Sequence, residues 1–274
     1  MNLDIIREIL RGIKRKLHIF IGGKATEYVW EEIVNWGIDL SITFIIGEGE
    51  LIFPHLLLGD CLEVPIYCDG TNCVYKVDQT SIYFPKNLDN ITINKSIFRG
   101  REIVNRYKRL ESCIITSRGC IYDCAFCGGA RSSNPYISAR VRSPESIIRE
   151  IESILADNPD VKSIRILDDL FLRDVCSIQT AIRIFALFSD LHWRCMAHIT
   201  SFNAADHYLA SLKYSGCDEI FIGIESGSPE IRSKINKVGS IDQIIQTITK
   251  ILSVGIDVKA YFICGFKPRP TVSN

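Results

Sequence analysis

The second half of the chain alternates between strand-type and helical segments, and this alternation restricts the fold more than any other feature. A helix is predicted between each consecutive pair of five apolar strand-type runs, which lie at residues 113–116, 163–167, 193–199, 219–224 and 256–264. Such alternation is typical of a parallel sheet covered by helices. Five of these strands fit an open α/β barrel, in which ligands sit at the carboxyl ends of the strands. The polar side chains that follow each strand are therefore the candidate site residues.

The composition indicates a folded chain with no obvious electrostatic target. Of its 274 residues, 47% are hydrophobic and 23% are charged, which suits a core and argues against disorder. The 32 basic and 32 acidic residues balance, so net charge gives no argument for a nucleic-acid or membrane partner. The apolar patch at residues 51–58 is too short to span a bilayer. Because no secretory signal is recognisable, a disulfide framework is the weaker interpretation of the eleven cysteines, and a reducing cytoplasm is expected.

The first 110 residues divide into two predicted regions. Residues 1–59 show strands at 17–21 and 42–46 with helices around them, and they are interpreted as part of a Rossmann-like α/β unit. Residues 60–110 are less regular, with two short strands around the turn pair Asp69-Gly70, and they are interpreted as a linker with a small β element. Cys61, Cys68 and Cys73 in this region fit no cluster spacing, and alternation along a hairpin explains them. Residues 111–274 then form the core domain.

Three cysteines in the stretch 113–131, CIITSRGCIYDCAFCGGAR, carry the clearest chemical signal. Cys120, Cys124 and Cys127 form a C-x3-C-x2-C array on a short loop. A cubane [4Fe–4S] cluster normally takes four cysteines, so three would leave one iron open to a chelating ligand, as in catalytic metal sites. A zinc knuckle or plain buried thiols are the alternatives. Zinc would need a fourth ligand, and His192 and His198 lie far along the chain.

The array has an aromatic residue before its last cysteine, and in the setting TSRGCIYDCAFC it resembles the radical S-adenosylmethionine (radical SAM) superfamily. The flanks resemble the branch that often carries an N-terminal cobalamin-binding domain. The resemblance implies that Cys120, Cys124 and Cys127 hold a [4Fe–4S] cluster whose fourth iron is chelated by SAM, with Phe126 and Gly128 beside the cofactors. It also implies an enzyme that cleaves SAM reductively to a 5′-deoxyadenosyl radical. A reductant such as flavodoxin or ferredoxin and a small-molecule or peptide substrate would be its partners.

The resemblance further assigns side chains at three strand ends to SAM. Asp168 and Asp169 follow the second strand, where the family often has a Gly-Gly-Glu pattern facing the SAM amino group, and Asp169 is kept as a candidate. Helix capping or solvent exposure explains either carboxylate equally well. His198 could face the SAM carboxylate or be an ordinary core residue. In GIESGS, which ends the fourth strand, Glu225 and Ser226 would lie near the ribose and methionine parts of SAM; a polar turn is the alternative.

Two departures from the family concern the ends of the chain. The superfamily usually has six βα units, whereas this chain stops at Asn274, after a proline-containing segment at residues 266–270, so a truncated barrel is expected. Residues 20–57 resemble the last third of a cobalamin-binding domain, but the D-x-H-x-x-G cobalt-ligand loop is missing, and cobalamin binding is not predicted. Lys237, in the family-like segment SKINK, is a further ambiguous candidate. The sequence thus predicts a radical SAM enzyme of unknown substrate; a catalytically inactive fragment that binds a cluster and a zinc-binding structural module are the alternatives.

Overall fold

A computed structural model describes residues 3–23, 25–91, 103–131 and 139–265. The chain divides into two compact units, residues 1–91 and residues 92–274. Within the described ranges, no helix combines the length and the apolar character needed to cross a bilayer.

The first unit is a four-stranded sheet with helices on both faces. Its elements are α1 (Leu3–Gly12), β1 (His18–Gly22), α2 (Thr26–Asn35), β2 (Ser41–Gly47), α3 (Ile52–Leu58), β3 (Tyr67–Cys68) and β4 (Asn72–Val77). The strand order is β1-β2-β4-β3, in which β1, β2 and β4 run parallel and β3 is antiparallel to β4. Alternation along β2 sends Phe44 toward α1 and α2, and Ile45 toward α3.

The first part of the region predicted as a linker, residues 60–110, contributes strands to the sheet of the first unit. The predicted hairpin around Asp69-Gly70 is present, but β4 pairs along its whole length with β2 and places the fully buried Val74 in the core of the first unit. Cys68 and Cys73 stand opposite each other in this hairpin and pair as a disulfide, whereas Cys61 lies apart from them. The chain therefore divides after residue 91 rather than after residue 59, because strand pairing decides the boundary.

The second unit contains the predicted parallel sheet. Its elements are β5 (Ile103–Val104), β6 (Leu110–Ile114), β7 (Ser117–Arg118), β8 (Arg140–Val141), α4 (Pro144–Asp157), β9 (Val161–Ile166), α5 (Val175–Phe185), β10 (His192–Ala197), α6 (Leu209–Tyr214), β11 (Cys217–Glu225), α7 (Pro229–Lys234), α8 (Ile241–Ser253) and β12 (Asp257–Phe262). The sheet order is β12-β11-β10-β9-β6-β5; the five strands from β6 to β12 are parallel, and β5 is antiparallel to β6. The five parallel strands, with helices between consecutive strands, form the partial barrel that the alternation predicts.

Local signals in the sequence explain where the helices of this unit begin. Ser143 caps α4 with Pro144 in the first turn, and its side chain accepts a hydrogen bond from the Ser146 N–H. Asp174 and Ser240 cap α5 and α8 with reciprocal capping boxes. The helices bury a continuous apolar core against the sheet, where the fully buried Trp193 stacks on Phe185 at 4.7 Å between ring centroids.

One predicted helix is wrong at its start. In place of one continuous helix between the strands predicted at 193–199 and 219–224, the structure has short 3-10 turns at Ile199–Phe202 and Asp206–Tyr208 before α6 begins at Leu209. His198 caps the first of these turns, because its ring nitrogen Nδ1 accepts from the backbone N–H of Thr200. The segment after β10 therefore holds His198 at a fixed place on the carboxyl edge of the sheet.

Candidate functional site

The cysteine array lies on a compact loop that follows β7. Gly119 begins the loop with a φ of 85°, a left-handed conformation that glycine adopts without strain. The Cys127 N–H donates to the Cys124 carbonyl at 3.0 Å, and the Ala130 N–H donates to the Cys127 carbonyl at 3.1 Å. These short turns place all three thiols on one loop of fixed shape.

The surroundings of the sulfur atoms fit an iron–sulfur cluster. Backbone N–H groups of Tyr122 and Gly129 donate to Cys120 Sγ at 3.5 Å and to Cys127 Sγ at 3.3 Å, the kind of hydrogen bond that tunes cluster potentials. Cys124 is buried, and burial raises its pKa although nearby Lys237 opposes the shift. Burial likewise raises the pKa of Cys120. The thiolates of Cys120 and Cys124 are therefore costly to maintain without a cation, and a cluster would supply the missing positive charge.

Within the part of the chain that the structure describes, no three His, Cys, Asp or Glu side chains gather closely enough for a single metal ion. A cubane differs from a single ion because each cysteine binds a different iron, so its ligands are spread around the cluster. The donor set on this loop suits that arrangement.

The loop is anchored by the segment that follows α7. The Ala125 N–H donates to the Ile235 carbonyl at 2.9 Å, and Asn236 Nδ2 donates to the Asp123 carbonyl at 2.8 Å. Asn236 makes this contact from a left-handed φ of 54°, which asparagine tolerates better than most residues. Sequence reasoning singled out Lys237 in this segment but missed Asn236 and Ile235; no motif at those positions points to the cysteine loop.

The two aspartates that follow β9 have different environments. Asp168 is 2% exposed and accepts three hydrogen bonds, each 2.6 Å long, from the Thr116 N–H, Thr116 Oγ1 and Ser117 Oγ. Burial raises its pKa despite these bonds, and its oxygens are occupied in joining β9 to the start of the cysteine loop. Asp169 is exposed, and a methyl group on Gly129 would lie 3.3 Å from its Oδ2 and 3.5 Å from Cys127 Sγ. Of the two, Asp169 is the carboxylate beside the array.

His198 also lies against the cysteine loop. Its ring stacks on Tyr122 with centroids 4.0 Å apart, and Tyr122 lies between the first two cysteines of the array. His198 is far from the array along the chain, but the end of β10 brings it to the loop. Phe126, by contrast, is 39% exposed, and Gly128 is exposed with room for an added Cβ.

The hydrogen bonds around His198 determine which ring nitrogen carries hydrogen. The Tyr122 hydroxyl is 2.6 Å from Thr200 Oγ1, which is 2.9 Å from His198 Nδ1. Because Nδ1 also accepts from the Thr200 backbone N–H, the neutral ring has its hydrogen on Nε2. Burial lowers the pKa of His198 to about 3, and the charges of Lys237 and Arg232 lower it further, so the ring is neutral at pH 7. Its Nε2 is buried without a partner among the described residues, which leaves an N–H donor for a ligand.

At the end of β11, Glu225 lies beside the same loop. It is 8% exposed and has a φ of 66°, a left-handed conformation that costs a non-glycine residue about 1–2 kcal/mol. Its Oε1 is 3.4 Å from Lys237 Nζ, and both side chains are 9% exposed. A methyl group at Gly223 would overlap this carboxylate. The GIESGS pattern is therefore explained in part by close approach: glycine at position 223 makes room for Glu225.

Two neighbours complete this strand end. The guanidinium of Arg232, 3% exposed, donates to the carbonyls of Ile224, Val238 and Gly239, and thereby fixes the turn that carries Lys237. Ser226 is half-buried, and its Oγ accepts from the Ser228 N–H at 3.1 Å at the start of α7. Arg232 is a positioning residue that sequence reasoning did not find, since an arginine in a polar segment looks like a solvated charge.

The two histidines of the first unit, His18 and His55, have hydrogen-bonding partners. His18 Nε2 is 2.7 Å from Thr43 Oγ1, and His55 Nδ1 is 2.9 Å from Asp60 Oδ1. Gly47, with a φ of 96°, passes so close to Val77 that a methyl group there would overlap the Val77 carbonyl. The glycine is therefore required by strand packing within this unit.

Comparison with known proteins agrees with this architecture. The family model described as the radical SAM superfamily matches residues 114–270, more than half of the chain. An uncharacterized methyltransferase of Pyrococcus horikoshii is 33% identical over 270 residues, which cover 95% of this chain and 57% of that protein. The chain thus spans just over half the length of this relative.

Two solved structures share the fold. The cobalamin-dependent S-adenosylmethionine radical enzyme OxsB superposes with a TM-score of 0.65 at 19% identity, over 95% of this chain and 42% of that one. The radical S-adenosylmethionine methyltransferase TsrM from Kitasatospora setae superposes with a TM-score of 0.58 at 14% identity, over 94% of this chain and 58% of that one. At these identities the likeness concerns the fold alone.

Proposed function

The chain belongs to the radical SAM superfamily, and we propose that its cysteine loop holds a [4Fe–4S] cluster at which SAM is cleaved reductively. The observation that carries the proposal is the loop itself: Cys120, Cys124 and Cys127 share one short turn, with backbone N–H groups donating to two of the sulfurs. When bound, the cluster and SAM supply an electron and a carbon-centred radical that abstracts hydrogen from a substrate. A reduced flavodoxin or ferredoxin is the electron donor that we expect.

The other residues of the site bind and orient SAM in this proposal. His198 Nε2–H is a buried donor without a partner among the described residues, and we assign it to a carboxylate oxygen of SAM. Glu225 accepts hydrogen bonds from the ribose hydroxyls or the ammonium group, with Ser226 beside it. Asp169 is exposed next to Cys127 and Gly129, and it would accept from the SAM amino group. Phe126 and Gly128 would then border the bound cofactors.

Reconstitution with iron and sulfide under nitrogen tests the cluster. The native chain should bind about four irons and, with dithionite, convert SAM to 5′-deoxyadenosine and methionine. Cys127→Ala should lose the cluster, whereas Cys176→Ala, which removes an exposed thiol outside the array, should keep it. Zinc in place of iron in protein purified without air, or equal iron in the two variants, would refute the proposal.

Two results separate an active enzyme from an inactive fragment. An active chain binds SAM in the micromolar range by calorimetry and forms 5′-deoxyadenosine. A chain that fills with iron but neither binds nor cleaves SAM is the inactive fragment.

Methyl transfer is the reaction outcome that the relatives favour. The relative from Pyrococcus horikoshii and TsrM are both named methyltransferases, and a methyl transfer from SAM would release S-adenosylhomocysteine, which chromatography distinguishes from 5′-deoxyadenosine. OxsB and TsrM are described with cobalamin bound, but the D-x-H-x-x-G pattern is absent from these 274 residues. A change in the absorption spectrum of hydroxocobalamin on titration with the native chain would contradict the prediction that this chain does not bind it.

A further inference from the structure

The two faces of the six-stranded sheet differ in chemistry. Residues at alternate positions of β9, β10 and β11, such as Ile164, Trp193 and Ile222, are apolar and pack under the helices. Residues at the intervening positions lie on the opposite face, which is the concave face of the partial barrel. The residues on that face include the aromatic Phe221 and six charged ones, which are Glu111, Arg165, Arg194, Glu219, Asp257 and Lys259.

Near the amino ends of the strands, the charges on the concave face are matched. Arg194 is 2.5 Å from Glu111 and 2.9 Å from Glu219 through its Nη atoms. Arg106 reaches Glu219 at 2.7 Å and Asp257 at 2.8 Å. Burial alone would raise the pKa of Glu111. Hydrogen bonds, of which those from Arg194 have the largest effect, instead hold this pKa below its usual value. The carboxylates of this layer therefore already have cationic partners.

Two further cations on the concave face have no counter-ion among the described residues: Arg165, which is in register with Arg194, and Lys259, which is in register with Phe221. Arg165 Cζ lies 5.3 Å and Lys259 Nζ lies 5.7 Å from the ring centroid of Phe221, which is 2% exposed. Neither cation has a carboxylate within 4.0 Å among the described residues, and Arg165 Nε is buried with no acceptor. A cation over an aromatic face is stabilised by the charge distribution of the ring. Arg194, which already has two carboxylate partners, also lies 5.5 Å from this centroid. Like charges around one ring repel, and a bound anion would reduce that repulsion.

The position of this pair relative to the cofactor edge follows from the strands. Arg165 lies four residues before Asp169, and Phe221 lies four residues before Glu225. At about 3.3 Å per residue of strand, Phe221 is roughly 13 Å below the end of β11 at Glu225, and Arg165 is the residue before the end of β9. A ligand spanning this distance would have its charged end on Arg165 and its other end at the cofactors.

We propose that Arg165 and Lys259 bind an oxyanion of the substrate, a carboxylate or a phosphate, on the concave face below the cluster. The fork of a guanidinium matches two oxygens of such a group, and Lys259 adds a second charge from the neighbouring side of Phe221. The substrate class is therefore an organic acid whose charged group is separated from its reacting carbon by roughly 10 Å. This inference rests on the proposed function, because only a reaction at the strand-end edge makes the concave face a substrate site.

Calorimetric titration of the full chain at constant ionic strength tests the site, with inorganic phosphate and malonate as separate probes. We expect one saturable site for at least one probe, and the preferred probe indicates whether the substrate carries phosphate or carboxylate. Arg165→Gln should weaken binding about tenfold or more, since a hydrogen bond to a charged group contributes about 1.5–3 kcal/mol. Lys259→Gln should weaken it a few-fold.

Lys162→Gln is the matched control, because it removes one positive charge from an exposed position on the opposite face of β9. It should leave the affinity unchanged. Absence of saturable binding for both probes up to about 50 mM, or equal affinity in the Arg165 and Lys162 variants, would overturn the proposal. If Arg165→Gln fails to fold, Lys259→Gln decides, since Lys259 is exposed. The titration needs neither cluster nor SAM, so its failure is distinguishable from a failure of SAM cleavage.

Discussion

Adding one methyl group at Gly223 tests whether Glu225 acts in SAM binding. In the structure this methyl group would overlap the Glu225 carboxylate and lie 3.1 Å from Lys237 Nζ. Ordinary contact requires the carboxylate oxygen to move by about 1 Å. The Glu225–Lys237 contact is already 3.4 Å long, so this displacement breaks the pair or forces a new side-chain rotamer.

The expected cost follows from the burial of the pair. Overpacking at a buried site costs about 1–3 kcal/mol, which at about 2–4 °C per kcal/mol for a unit of this size lowers Tm by about 2–12 °C. If Glu225 accepts hydrogen bonds from SAM, moving it should also weaken SAM binding by about tenfold or more, because a bond to a charged group contributes about 1.5–3 kcal/mol.

Gly227 provides the control within the same GIESGS segment. It has no atom within 4 Å of an added Cβ and no left-handed φ, so Gly227→Ala should leave the SAM affinity and the Tm unchanged. The measurements are calorimetric SAM binding to the reconstituted chain and thermal unfolding by circular dichroism. Equal SAM affinity in Gly223→Ala and Gly227→Ala would refute the role assigned to Glu225, and equal Tm values would refute the packing argument.

Three further predictions concern buried charges. Lys237→Met leaves the Glu225 carboxylate unpaired and should cost about 3–5 kcal/mol of unfolding free energy in urea, part of which Lys237→Met with Glu225→Gln should restore. His198 has a folded pKa of about 3, below its value of 6.5 in the unfolded chain, so the unfolded state takes up the proton first as pH falls. Stability should drop by about 2 kcal/mol from pH 7 to pH 5, and His198→Asn should lack this component. Arg194→Met should cost about 3–5 kcal/mol, because two buried carboxylates lose a partner, whereas Arg183→Met on the exposed side of α5 should change stability by less than about 0.5 kcal/mol.

Each of these predictions has an outcome that contradicts it. For Lys237, a double variant no more stable than the single one would mean that the pair is not coupled. For His198, an acid-dependent loss that is the same in wild type and His198→Asn would assign the effect to other groups. For Arg194, similar unfolding midpoints in the Arg194 and Arg183 variants would show that the ion pairs of Arg194 add little to the free energy of unfolding.

The sequence predicted most of the local structure because its signals are local. Alternating apolar segments identified the five parallel strands of the second unit, and the spacing of Cys120, Cys124 and Cys127 marked one loop. The prediction failed where tertiary contacts decide. The helix expected after the third of these strands is preceded by 3-10 turns, the first of which His198 caps, and the expected linker contributes β4, because a strand is defined by its partner as well as by its own residues.

By itself, the sequence determined the family, the cysteine array and the parallel order of the second unit, since each depends on residue types at short spacing. Only the tertiary structure decided that His198 stacks against the cysteine loop, that Lys237 pairs with Glu225, that Asp168 is consumed in strand-end hydrogen bonds while Asp169 is not, and that Arg165 and Lys259 both lie near the ring of Phe221. These side chains are far apart along the chain. They meet because the carboxyl ends and inner faces of parallel strands converge in a barrel, and no spacing rule along one chain encodes that convergence.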